Sequence, residues 1–115
     1  MKQIEERALS YLGFAVRAGR AVIGVPLVCE ALKKVPNGSE KAPLIVLEAA
    51  DTSANTHKRI SDRTAYYKTP ALQLSIGAGE LATAVGKRGG AVGAVGVTDR
   101  HLAAAIAALY GISFE

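Results

Sequence analysis

Pro43-Leu44-Ile45-Val46-Leu47 is an unbroken apolar run of strand length. A strand with one wet face alternates apolar and polar side chains, so a run without alternation predicts burial on both faces. Such a strand needs helices above and below it, and the flanking sequence supplies them. Just before it, Pro36-Asn37-Gly38-Ser39-Glu40-Lys41 is a polar turn. Ahead of that lies Gly24-Val25-Pro26-Leu27-Val28-Cys29-Glu30-Ala31-Leu32-Lys33-Lys34, a glycine turn opening a helix. Proline suits an early helical position because its φ is already helical and the amide it lacks would be unpaired there. Val28 and Leu32 face inward at helical spacing. Arg20 to Ile23 reads as a short strand leading to Gly24. Ile4, Ala8, Leu9, Leu12, Ala15 and Val16 predict an amphipathic helix over Ile4 to Ala18, ending near Gly19.

On the C-terminal side, Asp51, Thr52 or Ser53 can cap a third helix through about Tyr66, with Lys58, Arg59, Asp62 and Arg63 making its surface polar. Pro70 marks the passage to a strand at Leu72 to Ile76. A helix Gly79 to Val85, a loop Gly86-Lys87-Arg88-Gly89-Gly90, a strand Ala91 to Val97 and a helix His101 to Leu109 follow, with Gly111 past the last helix end. Strand and helix alternate to the end of the chain, the pattern of a sheet covered on both faces.

The 115 residues suit one domain able to bury a core without disulfides. Lys and Arg number 14 against 10 Asp and Glu, a net charge of +4, which favours a polyanionic partner. Cys29 stands alone, which excludes an internal disulfide and a thiolate metal cluster, and reads as a small buried residue in a reducing compartment. No apolar run approaches the ~20 residues of a membrane span, and acidic residues follow the start where a signal peptide would turn hydrophobic, so a cytoplasmic protein is expected. Half the residues are hydrophobic but only 5% are aromatic. The core is therefore Ala, Val, Leu and Ile, and aromatic platforms for base stacking are poorly supplied.

Gly77-Ala78-Gly79-Glu80-Leu81-Ala82, with Asp99 about twenty residues on, has the form of a dinucleotide fingerprint. The helix it opens is short, and too little sequence follows for a second nucleotide-binding half, so two plain helix-start glycines are the preferred reading and no cofactor is expected. His57 and His101 lack a second ligand at metal spacing, and Ser10 and Ser53 lie in no nucleophile-elbow context, so no enzyme activity is expected. The loop around Lys87 and Arg88 differs from these: its glycines let backbone approach a partner and its cations can neutralise phosphate. A solvated turn accounts for it equally well in isolation. Arg17 and Arg20 flank Gly19 and add positive charge near the first strand.

Taken together, Leu12-Gly13-Phe14-Ala15-Val16-Arg17-Ala18-Gly19-Arg20, then Ile23-Gly24, Ala49-Ala50-Asp51-Thr52-Ser53-Ala54-Asn55-Thr56 and Val95-Gly96-Val97-Thr98-Asp99 resemble the ribosomal L-seven-Ae and L-thirty-e family, in its bacterial branch. The resemblance covers roughly Leu12 to Leu109. It implies a three-layer α/β/α sandwich around a four-stranded mixed sheet and, in many members, binding to kink-turn RNA.

The resemblance also implies where RNA would sit: on the N-terminus of the second helix, on the loop after the second strand, and on the loop before the last strand. The residues at those places are Gly24, Val25, Pro26 and Leu27; Ala50 and Asp51; and Lys87, Arg88, Gly89, Gly90 and Ala91. Arg20, Lys33 and Lys34 add charge nearby. Kink-turn readers carry Gly-x-Asn-Glu-x-x-Lys at the helix start, where Asn and Glu reach guanine edges and Lys reaches phosphate. Here those three positions hold Pro26, Leu27 and Glu30. Pro and Leu offer no side-chain hydrogen bond to a base, and Glu30 repels phosphate, so the expected activity is shape and phosphate recognition of structured RNA, ribosomal or otherwise kinked. Ribosomal proteins are further possible neighbours, and neither a membrane nor DNA is expected as a partner. The alternative is a protein-interaction module on the same fold, with Val25, Pro26 and Leu27 as an apolar patch.

Overall fold

All four residues of the strand Ile45–Glu48 are buried, as the run without alternation predicts. The computed structural model describes residues 2–113. In chain order these form α1 (Lys2–Arg17), β1 (Ala21–Ile23), α2 (Val25–Leu32), a 3-10 turn (Val35–Asn37), β2 (Ile45–Glu48), α3 (Ala54–Tyr66), β3 (Ala71–Gln73), α4 (Ala78–Ala84), β4 (Ala94–Val97) and α5 (Arg100–Leu109). The four strands make one sheet in the order β1-β4-β2-β3. β4 pairs antiparallel with both β1 and β2, and β2 pairs parallel with β3, so the sheet is mixed.

Side-chain alternation along the central strands divides the core into two. Ile45, Leu47, Val95 and Val97 meet Ala8, Leu12 and Ala15 of α1, Leu81 and Ala82 of α4, and Ala103, Ile106 and Ala107 of α5. Val46 and Ala94 face the other way, onto Val28 and Leu32 of α2 and Ile60 of α3. The result is a three-layer α/β/α sandwich. Alanine-rich helices approach closely, and Cys29 is buried as expected. Gly96 in β4 has a packing reason: a Cβ there would lie 3.0 Å from both Cβ and Cγ of Pro43.

Element boundaries move where a side chain or a distant backbone group captures an amide. The strand expected over Leu72 to Ile76 is instead Ala71–Gln73. Leu74 N still donates to Glu48 O at 2.7 Å, but Ser75 N donates to the Glu5 carboxylate at 2.8 Å, and Ser75 Oγ donates to it at 2.6 Å, which ends the ladder. The strand expected from Ala91 begins at Ala94, because Val92 N turns to donate to Ala78 O of α4. β1 starts at Ala21 rather than Arg20. The helix expected from Gly79 to Val85 runs Ala78–Ala84, and the last helix starts at Arg100 rather than His101. The expected polar turn at Pro36 begins as the 3-10 turn.

α3 ends in a left-handed turn. Lys68 has φ 57°, the only non-glycine described residue with positive φ, and the turn closes through Lys68 N to Ala65 O and Thr69 N to Thr64 O. Lys68→Gly removes a Cβ from a conformation that costs L-residues energy, and should raise stability in urea unfolding by roughly 0.5–1 kcal/mol. Gly96→Val should lower it by roughly 1–3 kcal/mol by overpacking against Pro43.

Candidate nucleic-acid interface

Strand register brings three loops to one edge of the sheet. Ile23, the end of β1, pairs with Val95, and Glu48, the end of β2, pairs with Ala94. The loops after β1 and β2 therefore leave the sheet beside the segment that enters β4. Backbone bonds fasten them: Gly24 N donates to Ala94 O and Ala49 N to Gly93 O, both at 2.8 Å. A Cβ on Gly93 would lie 2.9 Å from Val25 Cγ2 and 3.4 Å from Thr52 Cγ2, so glycine there lets the three segments touch. Gly24 to Leu27, Ala50 and Asp51, and the approach from Lys87 to Ala91 thus lie side by side.

The helix starts differ in how their amides are satisfied. Ser53 caps α3, accepting from Thr56 N at 3.1 Å. At the opposite end of the sheet Asp99 caps α5, accepting from Leu102 N at 2.9 Å. α4 is held by Asp51, whose Oδ1 accepts from Ala78 N at 2.9 Å. Gly24, the N-cap of α2, has φ 102° and brings no side-chain cap. The N-terminus of α2, with its positive dipole end, is thereby left open to an external anion. Pro26 and Leu27 lie in its first turn and both are exposed, Leu27 at 61%. Val25 is half-buried and packs on the α2–α3 core.

Every residue from Lys87 to Ala91 is exposed. Gly86 and Gly89 take positive φ of 84° and 87°, and Gly90 N closes a turn on Lys87 O. Among the described residues neither Lys87 nor Arg88 has an ion-pair partner. Leu27 and Lys87 line one groove of about 540 Å³, which follows the outer edge of β1 past Glu30 and Ala31 to Lys34 and Lys41. Lys34 therefore shares a groove with the loop although it lies beyond the far end of α2. Lys33, the C-cap of α2, faces α3 and pairs with Glu30 at 3.5 Å. Arg20 is at the opposite end of the sheet, where its carbonyl accepts from Thr98 N, and lines a separate cavity with Asp99 and His101.

Glu48 has no counterpart among the sequence-based candidates. It is a carboxylate 3% exposed at the end of β2. Thr52 Oγ1 donates to it, and His57 Nδ1 lies 2.9 and 3.0 Å from its two oxygens. A carboxylate only accepts, so Nδ1 is the donor to it. This cluster ties the loop after β2 to the first turn of α3. Its signal in the sequence is a charged residue directly following the apolar run Pro43 to Leu47. The dinucleotide-like string is explained by the same loop: Asp51 sits against Gly77, where a Cβ would be 2.8 Å from Oδ2, so a carboxylate already fills the place a phosphate would need. Asp99 is spent on α5.

Thr52→Val keeps the shape but deprives the buried Glu48 of a donor, and should cost about 1–3 kcal/mol in urea unfolding. Asp51→Ala uncaps α4 and should cost about 1 kcal/mol in the same measurement.

No helix among the described residues is long and apolar enough to cross a membrane, and no family model matches the chain. A solved structure of a Bacillus halodurans protein of unknown function superposes with a TM-score of 0.72 at 28% identity, covering 89% of this chain and 94% of the other. The 15.5kD RNA binding protein of Giardia lamblia also reaches 0.72, at 16% identity, over 95% of this chain and 86% of its own, and so shares the fold. Among curated relatives, the RNA-binding protein YlxQ of Enterococcus faecium is 34% identical over 82 residues, 71% of this chain and 73% of its own. That of Bacillus subtilis (strain 168) is 37% identical over 92 residues, 80% and 83% of the two chains. Both carry the name of a binding protein rather than an enzyme, in line with the expectation of no enzyme activity. With identity at this level across more than two thirds of both chains, the chain belongs to the family of the YlxQ RNA-binding proteins.

Proposed function

We propose that this protein binds structured RNA, ribosomal or otherwise kinked, in the reducing cytoplasm. The observation that carries the reading is the uncapped start of α2 on the same sheet edge as the unpaired Lys87 and Arg88. Oriented amides and two cations with no ion-pair partner among the described residues form an anion-binding surface, and the glycines beside them admit a phosphate backbone closely. The name of its YlxQ relatives supports RNA as that anion. Pro26 and Leu27 present no hydrogen-bonding side chain to a base edge, so recognition runs through shape and phosphate, with kink-turn specificity weakened or absent. Ribosome association follows from the family resemblance rather than from any single contact.

A second reading has one observation in its favour. Exposed Pro26 and the 61% exposed Leu27 form a small apolar patch on the same edge, which suits docking of a protein. Salt separates the two readings, because phosphate contacts weaken as ions compete and apolar contacts do not.

Fluorescence anisotropy with a kink-turn RNA and a plain duplex of equal length, at low and physiological salt, tests the proposal. Binding should weaken steeply with salt. Lys87→Glu with Arg88→Glu should lower affinity for both RNAs at least about tenfold and reduce the salt slope by about two. Salt-insensitive binding, or affinity and slope unchanged by the double reversal, would sink it. Pro26→Asn with Leu27→Glu should favour the kink-turn over the duplex by roughly one to two orders of magnitude, at about 1–3 kcal/mol per restored base contact.

A further inference from the structure

The outer face of α3 presents a feature that packing does not require. Tyr66, in its last turn, is 78% exposed, although the low aromatic content suggested few stacking platforms. Its ring is held edge-on against Tyr67, with centroids 4.9 Å apart and planes at 88°. Tyr67 in turn packs on the α2–α3 core. An exposed ring is thus fixed in orientation by a partly buried one. The two rings, with Lys33, Asp62 and Arg63, line a groove of about 480 Å³.

Arg59, Arg63 and Tyr66 follow at steps of four and three residues, which places them on one helix face, with Asn55 one turn earlier. Neither Arg59 nor Arg63 has an ion-pair partner among the described residues. The acidic neighbour, Asp62, is engaged by Lys58 at 2.8 Å. The stripe begins at the helix start, just after Thr52 and Ser53 on the interface edge. It ends at the aromatic pair, and α3's 13 residues span about 20 Å at 1.5 Å per residue. That is the length of about six stacked nucleotides at 3.4 Å each.

We propose that an unpaired RNA strand leaving the interface runs along this face of α3, its phosphates met by Arg59, Arg63 and Lys33, and stacks a base on Tyr66. A cationic track ending in a rigid aromatic ring is the arrangement that binds single-stranded nucleic acid without sequence preference. A protein partner fits less well, because the centre of a protein interface is depleted of charge, whereas here charged side chains surround the ring. The inference rests on RNA binding at the interface, and the test reads the two separately.

Labelled RNA hairpins that are identical except for a single-stranded adenine tail of about ten nucleotides are titrated by anisotropy. The tail should tighten binding of the unaltered protein by about tenfold. Tyr66→Ala should abolish that gain and leave the blunt hairpin unaffected; Arg59→Glu with Arg63→Glu should abolish it as well. The chain has no tryptophan, so Tyr66→Trp supplies a single reporter, whose emission should be quenched by the tailed hairpin and not by the blunt one. No gain from the tail, a gain that survives Tyr66→Ala, or an unquenched Trp overturns the inference while the blunt-hairpin result stands. Failure of the blunt hairpin to bind at all overturns the interface reading, and this inference with it.

Discussion

Antiparallel pairing of β4 on both its edges is the constraint from which the rest of the structure follows. Inserted between β1 and β2, β4 runs against both, so its entry lies at their exits. One registry of hydrogen bonds therefore sets the outgoing loops of two strands beside the incoming loop of the third. Glycine at position 93 makes that gathering close, since Val25 and Thr52 occupy the space a side chain would take. The strands are only three or four residues long, and their burial between helical layers supplies stability that so short a ladder could not.

Around this edge the chain supplies its own hydrogen-bond acceptors to helix starts. The Ser53 hydroxyl accepts from an amide of α3 and the Asp51 carboxylate from the first amide of α4, whereas no side chain caps the start of α2 at Gly24. Two basic residues, Lys87 and Arg88, that have no ion-pair partner among the described residues stand on the neighbouring loop. The buried Glu48 belongs to the same design: its hydrogen bonds to Thr52 and His57 hold a loop that carries the Asp51 cap, so a carboxylate hidden from solvent governs the shape of a surface. Two donors satisfy this buried polar group.

Local readings succeeded where one physical period or one cap decided the outcome. The Ile4 to Ala18 stripe, the apolar run at Pro43 and the burial of Cys29 depend on neighbours close in sequence, and the structure agrees with them. Ser53 was one of three adjacent residues able to cap α3; the choice among them fell to Asp51 being drawn away to α4, which lies 27 residues on. The shortened β3 has the same origin, since Glu5, 70 residues away, captures the amide of Ser75. Nothing in Leu72 to Ile76 itself announces that.

Composition and hydrophobic period by themselves determined a sheet sandwiched by helices, a basic surface, and the segments from which an interface could be drawn, because core burial and helix capping act over a few residues. Which segments meet was decided only by the tertiary structure. Gly24, Ala50 and Lys87 converge because strand order joins them, while Arg20 and Lys33, near Gly24 in sequence, are carried off by a strand and a helix to other faces. Glu48 and Tyr66 became legible for the same reason: one is buried by partners from elsewhere in the chain and the other is left exposed by their absence, and neither condition is written in the residues beside them.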